Sequence, residues 1–435
     1  MKRTAICLVL FVMLVLPVFS QNTAMPPLAI PTAASSGFGG SHIAFTDNVF
    51  ALLVNPAALM RVQQRSFVTF APSIMNPQFL INSTRYTLDV FSSLSDDGLD
   101  ELGETMGKLS DELGSMDGKI ALGLELRELP LSFAWVANGF GFGIWNRTFV
   151  NANLQGIWVS ADVYEDIIVP VGFAFKILQL DNHTIDAGIS LKPFFRGIIS
   201  EQEIATDLID DDSDFTDRIN VPLMTGFGFD LGLLYRSNTG FSAGLTFTDI
   251  FTRGNVFRNL NPNLSNSGTY YIPFAINMGL AYNFRIGNFM EDANPILNSL
   301  GFTVAFDWRN MLNAFQQFLP SMQENYLNRN TFLDIGVGLQ VSLFDMFKFR
   351  VGMNDMLPAV GIGFNLGSVE IDLAYYGKEF GREPGLLPTA MVDISISFRP
   401  QAKERDWLWT RRSVVGLIAG GEMVSEIVEE MDSDF

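Results

Sequence analysis

The sequence is poor in the residues on which several protein classes depend. It has one cysteine, Cys7, and two histidines among 435 residues. Cys7 lies in residues 1–20, where Lys2 and Arg3 precede an apolar run, so we expect these residues to be a cleaved signal peptide. A mature exported chain without cysteine forms no disulfides, which favours a bacterial envelope over an animal secretion route.

Positive charge is also scarce. Lys and Arg number 28 against 47 acidic residues, and loss of Lys2 and Arg3 leaves 26 bases, so the mature net charge is −21. A chain this acidic is repelled by nucleic acid and by anionic membrane surfaces. We therefore expect no nucleic-acid partner.

Long apolar runs are absent after the signal peptide, although 48% of the residues are hydrophobic and 39 are Phe. A membrane-spanning helix needs about 20 consecutive apolar residues. The best candidate, "IAFTDNVFALLVNPAALM" at 43–60, contains Asp47, Asn55 and Pro56. The hydrophobicity must be distributed in another way.

Alternation supplies that distribution. In residues 225–236 the side chains of Phe227, Phe229, Leu231 and Leu233 alternate with Gly226, Gly228, Asp230 and Gly232. The same alternation recurs at 272–282, 302–309, 333–341 and 391–398. A soluble sandwich also alternates, but it places charged residues outside and seldom has contiguous glycines. An apolar face rich in Phe opposite Gly, Ser and isolated charges instead predicts an all-β fold, a transmembrane antiparallel β-barrel.

Short and long connections alternate along the chain. Turn sequences occur at 138–139, 181–184, 237–240, 345–346 and 366–368, and longer stretches at 151–166, 200–218, 252–268, 311–329 and 378–388. Outer-membrane barrels have short periplasmic turns and long external loops. The count is about 14 strands; 16 remain possible if 65–91 holds two strands and 119–127 another.

Residues 21–64 precede the first strand and form the candidate plug. A wide barrel with small lumenal side chains stays open unless a segment fills it. Pro56 cannot donate a backbone hydrogen bond and biases Asn55 away from helix, and the Asn55 side chain can bond the nearby backbone. Two interpretations remain: a hatch inside the barrel, or a short helix that simply ends before strand one.

The stretch "GFGGSHIAFTDNVFALLVNPAAL", residues 37–59, resembles the N-terminal signature of the long-chain fatty-acid transporter (FadL-type) superfamily of outer-membrane barrels, which includes PorV-type and spirochaete relatives. The resemblance implies a 14-stranded barrel at 65–400 with an N-terminal hatch at 21–64. It also implies a functionally sensitive hatch motif at Asn55, Pro56 and Ala57. It identifies no ligand-binding residues, which therefore stay unknown.

Catalytic and metal sites have little support. Ser41, His42 and Asp47 could be imagined as a hydrolase triad, but adjacent Ser and His side chains point apart, so no catalytic residue is assigned. The acidic stretch 207–217 could bind calcium, yet it lacks EF-hand spacing and a solvated external loop is favoured. We expect no cofactor and no metal. Amphipathic spacing at 95–119 and 311–327 predicts helices at the barrel mouth.

The tail, residues 401–435, follows Pro400 and cannot continue the wall. Its apolar residues recur at helical spacing, interrupted by Gly420-Gly421, which leaves two alternatives. It is a periplasmic amphipathic helical tail that closes the barrel or docks a periplasmic lipid carrier, or it is a frayed, solvated end.

These features predict an outer-membrane transporter of hydrophobic small molecules, with long-chain fatty acids implied by the resemblance. Its expected partners are that ligand and outer-membrane lipid. The alternative is a PorV-like scaffold or shuttle for secreted or surface proteins; a generic porin ranks third.

Overall fold

A computed structural model gives the fold of this chain. It describes residues 25–78, 119–127, 132–155, 158–204, 221–260, 268–289, 295–318 and 329–399. Within these ranges no helix is long and apolar enough to cross a membrane. The predicted signal peptide, acidic stretch 207–217 and tail 401–435 lie outside the described residues, as does almost all of the predicted helix at 95–119.

A single antiparallel sheet closes on itself, because β1 pairs with both the last strand and the second. The strands follow in chain order: β1 Gln64–Met75, β2 Lys119–Arg127 with Phe133–Ala137, β3 Phe140–Gln155, β4 Trp158–Ile168 with Val171–Leu180, β5 His183–Ile204, β6 Pro222–Ser237, β7 Phe241–Thr248 with Arg253–Asn259, β8 Thr269–Tyr271 with Ala275–Arg285, β9 Leu300–Trp308, β10 Ile335–Leu343, β11 Phe347–Asn354, β12 Leu357–Asn365, β13 Val369–Glu379 and β14 Pro388–Phe398.

The sheet has 18 strand segments, and four strands consist of two segments each, so the wall has 14 strands. Both segments of β2 pair with β3, which makes 119–127 part of the second strand and settles the choice between 14 and 16. Pro170 and Pro273 lie in two of the interruptions, where a residue without a backbone N–H cannot continue the ladder. The predicted fold class is confirmed.

The two faces of the wall differ as the alternation predicts. Phe173, Phe227 and Val351 on the outer face are 50%, 60% and 51% exposed, whereas Asp230, Asp307 and Asp393 on the inner face are wholly buried. Aromatic side chains form neighbouring pairs on the outer face: Phe67–Phe133, Phe67–Phe398, Phe133–Phe142, Trp135–Phe140, Phe284–Phe302 and Phe347–Phe364. An apolar, aromatic outer surface around a polar interior is the pattern of a transmembrane barrel.

Two positions depart from the predicted alternation. The side chain of Ile272 was expected on the outer face, but it is 3% exposed and packs in the lumen. The interruption of β8 between Tyr271 and Ala275 changes the face to which the Ile272 side chain points. Leu333 was also expected outside, but it lies in a 3-10 helix, Thr331–Asp334, and is fully buried. The strand that follows begins only at Ile335.

The connections confirm part of the predicted pattern. The end of the barrel at which β1 begins has tight turns, including a two-residue turn at Asn138 and Gly139 with φ values of 53° and 77°. We call this the short-turn end and the opposite end the long-loop end. The stretch 151–166 was expected to be a loop, and that prediction is wrong. The paired strands β3 and β4 occupy nearly all of this stretch. The connection between β11 and β12 at the long-loop end is likewise only two residues, Asp355 and Met356.

Short helices complete the fold. In the N-terminal segment these are α1 Ala33–Gly37, α2 Ala51–Val54 and a 3-10 helix, Pro56–Arg61. The connection from β8 to β9 carries a 3-10 helix, Ile286–Phe289, and α3 Pro295–Ser299. At the long-loop end, Met311–Phe318 forms another 3-10 helix, within the stretch for which a lid helix was predicted.

Candidate functional site: a segment held inside the barrel

The N-terminal segment, residues 25–63, lies inside the barrel. Its apolar side chains are almost completely buried: Met25, Leu28, Ile30, Val49, Phe50, Leu52, Leu53 and Leu59. They share one hydrophobic cluster with inward side chains of the wall, including Trp145, Ile168, Phe194 and Leu234. Burial of side chains this size contributes about 1.5–3 kcal/mol each, so the segment is bound chiefly by the hydrophobic effect.

Inward glycines on neighbouring strands let the backbone of this segment approach the wall. We call seven of them the glycine track: Gly188, Gly232, Gly244, Gly279, Gly336, Gly352 and Gly361. Gly188 pairs with Gly232 across β5 and β6, and Gly244 with Gly279 across β7 and β8. A Cβ on Gly244 would lie 2.8 Å from the Ile43 carbonyl oxygen, and one on Gly352 2.6 Å from the Gly39 nitrogen. No larger residue fits without displacing the segment.

Asn55 fixes the break between α2 and the 3-10 helix that starts at Pro56. Its Oδ1 accepts from the Ala57 backbone N–H at 3.2 Å, and its Nδ2 donates to the carbonyls of Ile43 at 3.1 Å and Leu233 at 3.4 Å. The side chain therefore joins two turns of the segment and β6. Asn55 ends one short helix, as the simpler interpretation held, and does so inside the lumen.

Asp307 on β9 holds the segment at a second point, which lies before the break at Asn55. One carboxylate oxygen accepts from the backbone N–H groups of His42 at 2.6 Å and Ile43 at 3.0 Å. Asp307 is fully buried, forms no ion pair within the described residues, and its second oxygen has no hydrogen-bond partner there. Its carboxyl group is thus directed at the backbone of the segment.

Charged wall residues bind further points along the segment. Arg196 donates to the Pro26 carbonyl at 2.7 Å while paired with Asp166, and Asp393 accepts from the Ser36 hydroxyl at 2.8 Å while paired with Arg127. Each wall residue that bonds the segment is therefore also paired with an oppositely charged neighbour on the wall. Buried ion pairs offset the cost of desolvation only when hydrogen bonds satisfy the remaining atoms, and the segment supplies such bonds.

A second hydrophobic cluster is buried inside the barrel towards the long-loop end. It consists of inward residues on β1, β3, β4, β12, β13 and β14: Met75, Phe149, Tyr164, Ala359, Ala374, Tyr376 and Met391. Phe149 stacks on Tyr164 with ring centroids 4.4 Å apart, and the Arg147 guanidinium lies 5.1 Å from the Tyr164 ring centroid. We call this set the apolar strip. Sequence reasoning missed it, although its members stand at inward positions where small or polar residues were expected.

The imagined triad does not assemble. His42 Nδ1 contacts the Gly40 carbonyl at 2.9 Å, and the Ser41 hydroxyl has no hydrogen-bond partner in the part of the chain the structure describes. Desolvation inside the lumen lowers the pKa of His42 to about 4, opposed by the bond to Gly40 and reinforced by Arg309. Within the same described ranges no cluster of His, Cys, Asp and Glu could hold a metal ion.

Comparison with known proteins gives structural likeness only. No protein-family model and no curated protein matches the sequence. The fold overlaps with the Pseudomonas putida toluene transporter TodX (11% identity, 87% of this chain and 99% of that one, TM-score 0.41). A Pseudomonas aeruginosa FadL homologue is 11% identical, with 87% of this chain and 99% of that one covered and a TM-score of 0.41. The Ralstonia pickettii toluene transporter TbuX is 11% identical, with 85% of this chain and 98% of that one covered and a TM-score of 0.43.

At about 11% identity and TM-scores below 0.5, these likenesses assign no family to this chain. At this identity and overlap the likeness concerns the course of the chain and assigns no ligand. The roles of Asn55, Pro56 and Ala57 must be argued from the contacts described above.

Proposed function

We propose that this chain is a bacterial outer-membrane channel for small hydrophobic molecules, with long-chain fatty acids as the expected cargo. The observation that carries the proposal is the filled lumen: the apolar side chains of residues 25–63 pack against inward wall residues, and the buried apolar strip continues this packing towards the long-loop end. A diffusion porin needs a water-filled lumen, and a lumen packed in this way would not supply one. A passage that opened between these apolar side chains would suit hydrophobic ligands.

In this account the N-terminal segment is a hatch, and its Asn55, Pro56 and Ala57 form the hinge at which it bends. The contacts of this segment with the wall, from β5 to β14, would have to loosen for a molecule to pass. The Asn55 side chain supports that role, because it bonds the segment before the break at Ile43, the segment after it at Ala57, and the wall at Leu233. An exported chain delivered by the predicted signal peptide would orient the short-turn end towards the periplasm. A periplasmic lipid carrier would then receive the cargo there.

Substitution of one Met in the apolar strip tests the proposal. Met391→Gln keeps the size of a fully buried, inward side chain but adds an amide without a partner, which costs about 1–3 kcal/mol. Uptake of a radiolabelled fatty acid by cells expressing the variant should fall about tenfold. The matched control is Met353→Gln, whose side chain is 40% exposed on the outer face. Equal uptake in both variants would refute the assignment of the strip.

The alternative function, a scaffold or shuttle for secreted proteins, predicts a different result. Both Met variants would then transport nothing above background. Gentle extraction followed by mass spectrometry would recover a stoichiometric protein partner rather than bound lipid.

A further inference from the structure

The outer face of the wall is apolar over most of its area, and a carboxylate interrupts it on β4. Glu165 lies between the buried, inward residues Tyr164 and Asp166, so its side chain points outward. Apolar outward residues lie on both sides of it along the strands, Ile167 on β4 and Val150 on β3. Charged side chains on the lipid side of a barrel are disfavoured, so one that is present calls for a function.

Glu165 has hydrogen-bond donors but no cation beside it. The Asn146 amide and the Thr148 hydroxyl, both on β3, donate to its two carboxylate oxygens. Within the described residues no Lys or Arg pairs with Glu165. We call Asn146, Thr148 and Glu165 the acidic patch. Its neutral donors hold the carboxylate in place without balancing its charge.

A group of opposite charge lies on the outer face at β7 and β8. Arg253 is exposed and pairs across the ladder with outward-facing Phe227. Its guanidinium lies 5.1 Å from the Tyr271 ring centroid, and in the described ranges no carboxylate pairs with it. Beside it, the Thr269 hydroxyl donates to Asn255 at 3.2 Å. We call Arg253, Asn255, Thr269 and Tyr271 the basic patch.

The hydrogen-bonded ladder rises towards the long-loop end as the strand number increases. Successive pairs lead from Asn283, near the short-turn end of β8, through β9 to β14 and on to Ser73, near the long-loop end of β1. A step from one strand to the next along the ladder therefore also moves towards the long-loop end.

This slope places the two patches at the same height. Three ladder steps lead from Glu165 through β5 and β6 to β7, and the residue reached on β6 is Leu223. The β6 partner of Arg253 is Phe227, four residues nearer the short-turn end than Leu223. At a strand tilt of about 35–45°, three steps of about 4.8 Å and four residues of about 3.3 Å each change the height by about 10 Å, in opposite directions.

We propose that the acidic patch of one copy docks on the basic patch of a second copy in the plane of the membrane, with Glu165 paired to Arg253. Copies in one membrane share its normal, so two different patches meet in this way only if they are level. The contact is heterologous, and its repetition builds a ring if the rotation closes. Polar side chains on lipid-facing surfaces favour association, because lipid offers them no hydrogen-bond partner. A lipid headgroup would meet either charge singly and would not require the patches to be level.

Thiol cross-linking of the full chain in outer membranes tests this contact. The predicted mature chain has no cysteine, so introduced cysteines report without background. Val150→Cys and Phe227→Cys place thiols beside the two patches, at positions 42% and 60% exposed, and leave Glu165 and Arg253 intact. Co-expressed, these two variants should form a dimer with a short bismaleimide. Val150→Cys with Val351→Cys, which is 51% exposed on β11, is the matched control and should form none.

Charge reversal then tests the ion pair. Glu165→Arg in the Val150→Cys chain should lower the dimer yield at least about tenfold, since bonds between charged groups are the stronger class. Adding Arg253→Glu to the Phe227→Cys chain should restore the yield, which a barrel that merely misassembled would not do. Yields are compared at equal amounts of heat-resistant folded barrel.

Three results would overturn the inference. The first is a yield no higher than that of the Val351→Cys control. The second is a yield unchanged by Glu165→Arg. The third is a loss that Arg253→Glu does not restore, which would assign the two charges to separate lipid headgroups. None of these results bears on transport, so the proposed function stands or falls by its own test.

Discussion

Replacement of Gly232 by Ala perturbs the proposed hatch directly at its break between Asn55 and Pro56. A Cβ at this inward position of β6 would lie 2.9 Å from Pro56 Cδ and 3.0 Å from the Ala57 nitrogen, with Asn55 Oδ1 closer still. These neighbours belong to the rigid break of the hatch, so the hatch must move by about 1 Å, and overpacking of this kind costs about 1–3 kcal/mol. The bonds of Asn55 weaken as well, at about 1 kcal/mol each.

Together these effects should weaken hatch docking by about 2–4 kcal/mol, while the barrel wall keeps its own ladder. Backbone amides of the hatch exchange with solvent when it undocks, so hydrogen exchange at His42, Ile43, Ala57 and Ala58 should accelerate about 30- to 1000-fold. Mass spectrometry of peptides from residues 41–60 measures this directly. Amides of β10 to β14 should exchange as in the parent protein.

Gly228→Ala is the matched control, because Gly228 faces inward on the same strand. A Cβ there lies 3.0 Å from Thr252 Oγ1, 3.3 Å from Asp249 Oδ1 and 3.3 Å from Lys192 Cε, which are all side-chain atoms of the wall and not of the N-terminal segment. Equal exchange of the hatch in the two variants would refute the close-packing role of the glycine track.

Three further predictions concern the anchor, pH and the outer face. Asp307→Ala should release hatch protection more than Asp307→Asn, which keeps one acceptor for the N–H groups of His42 and Ile43; equal effects would show that the carboxylate does not hold the hatch. Burial lowers the pKa of His42 to about 4 in the folded protein, so the imidazole is neutral there at neutral pH. The contribution of neutral His42 to folding stability is full above about pH 6.5 and is lost as the pH falls towards 4. The heat-resistant gel mobility of the parent protein should therefore decline over that pH range more than the mobility of His42→Gln. Val337→Arg, on the outer face, should lower barrel stability in lipid by about 2–4 kcal/mol in chemical unfolding, whereas Val337→Leu should change it little.

The wall could be predicted from the sequence because its signal is local. Alternation at 225–236 and 391–398 depends on neighbouring residues alone, and the Asn138-Gly139 pair has the backbone freedom that a two-residue hairpin needs. The contact of Asn55 with the backbone two residues later is local for the same reason.

What the sequence could not provide are contacts between distant strands and the hatch. The pairing of Asp307 with His42 and Ile43 spans more than 260 residues, and nothing in either stretch marks the partner. The apolar strip likewise forms only when β14 closes on β1. The side chain of Ile272 was assigned to the wrong face because the interruption beside Pro273 reverses the face on which the chain continues. Simple alternation along the sequence does not reveal such an interruption.

The central claim, a hatch-filled barrel that passes hydrophobic molecules, is tested most directly by two measurements on one preparation of the purified chain. Reconstituted into liposomes that enclose a fatty-acid-binding protein, it should speed accumulation of labelled oleate over protein-free vesicles. In planar bilayers the same preparation should show no steady open-channel conductance. A large ohmic conductance without faster accumulation of oleate would contradict the account and identify the chain as a water-filled pore.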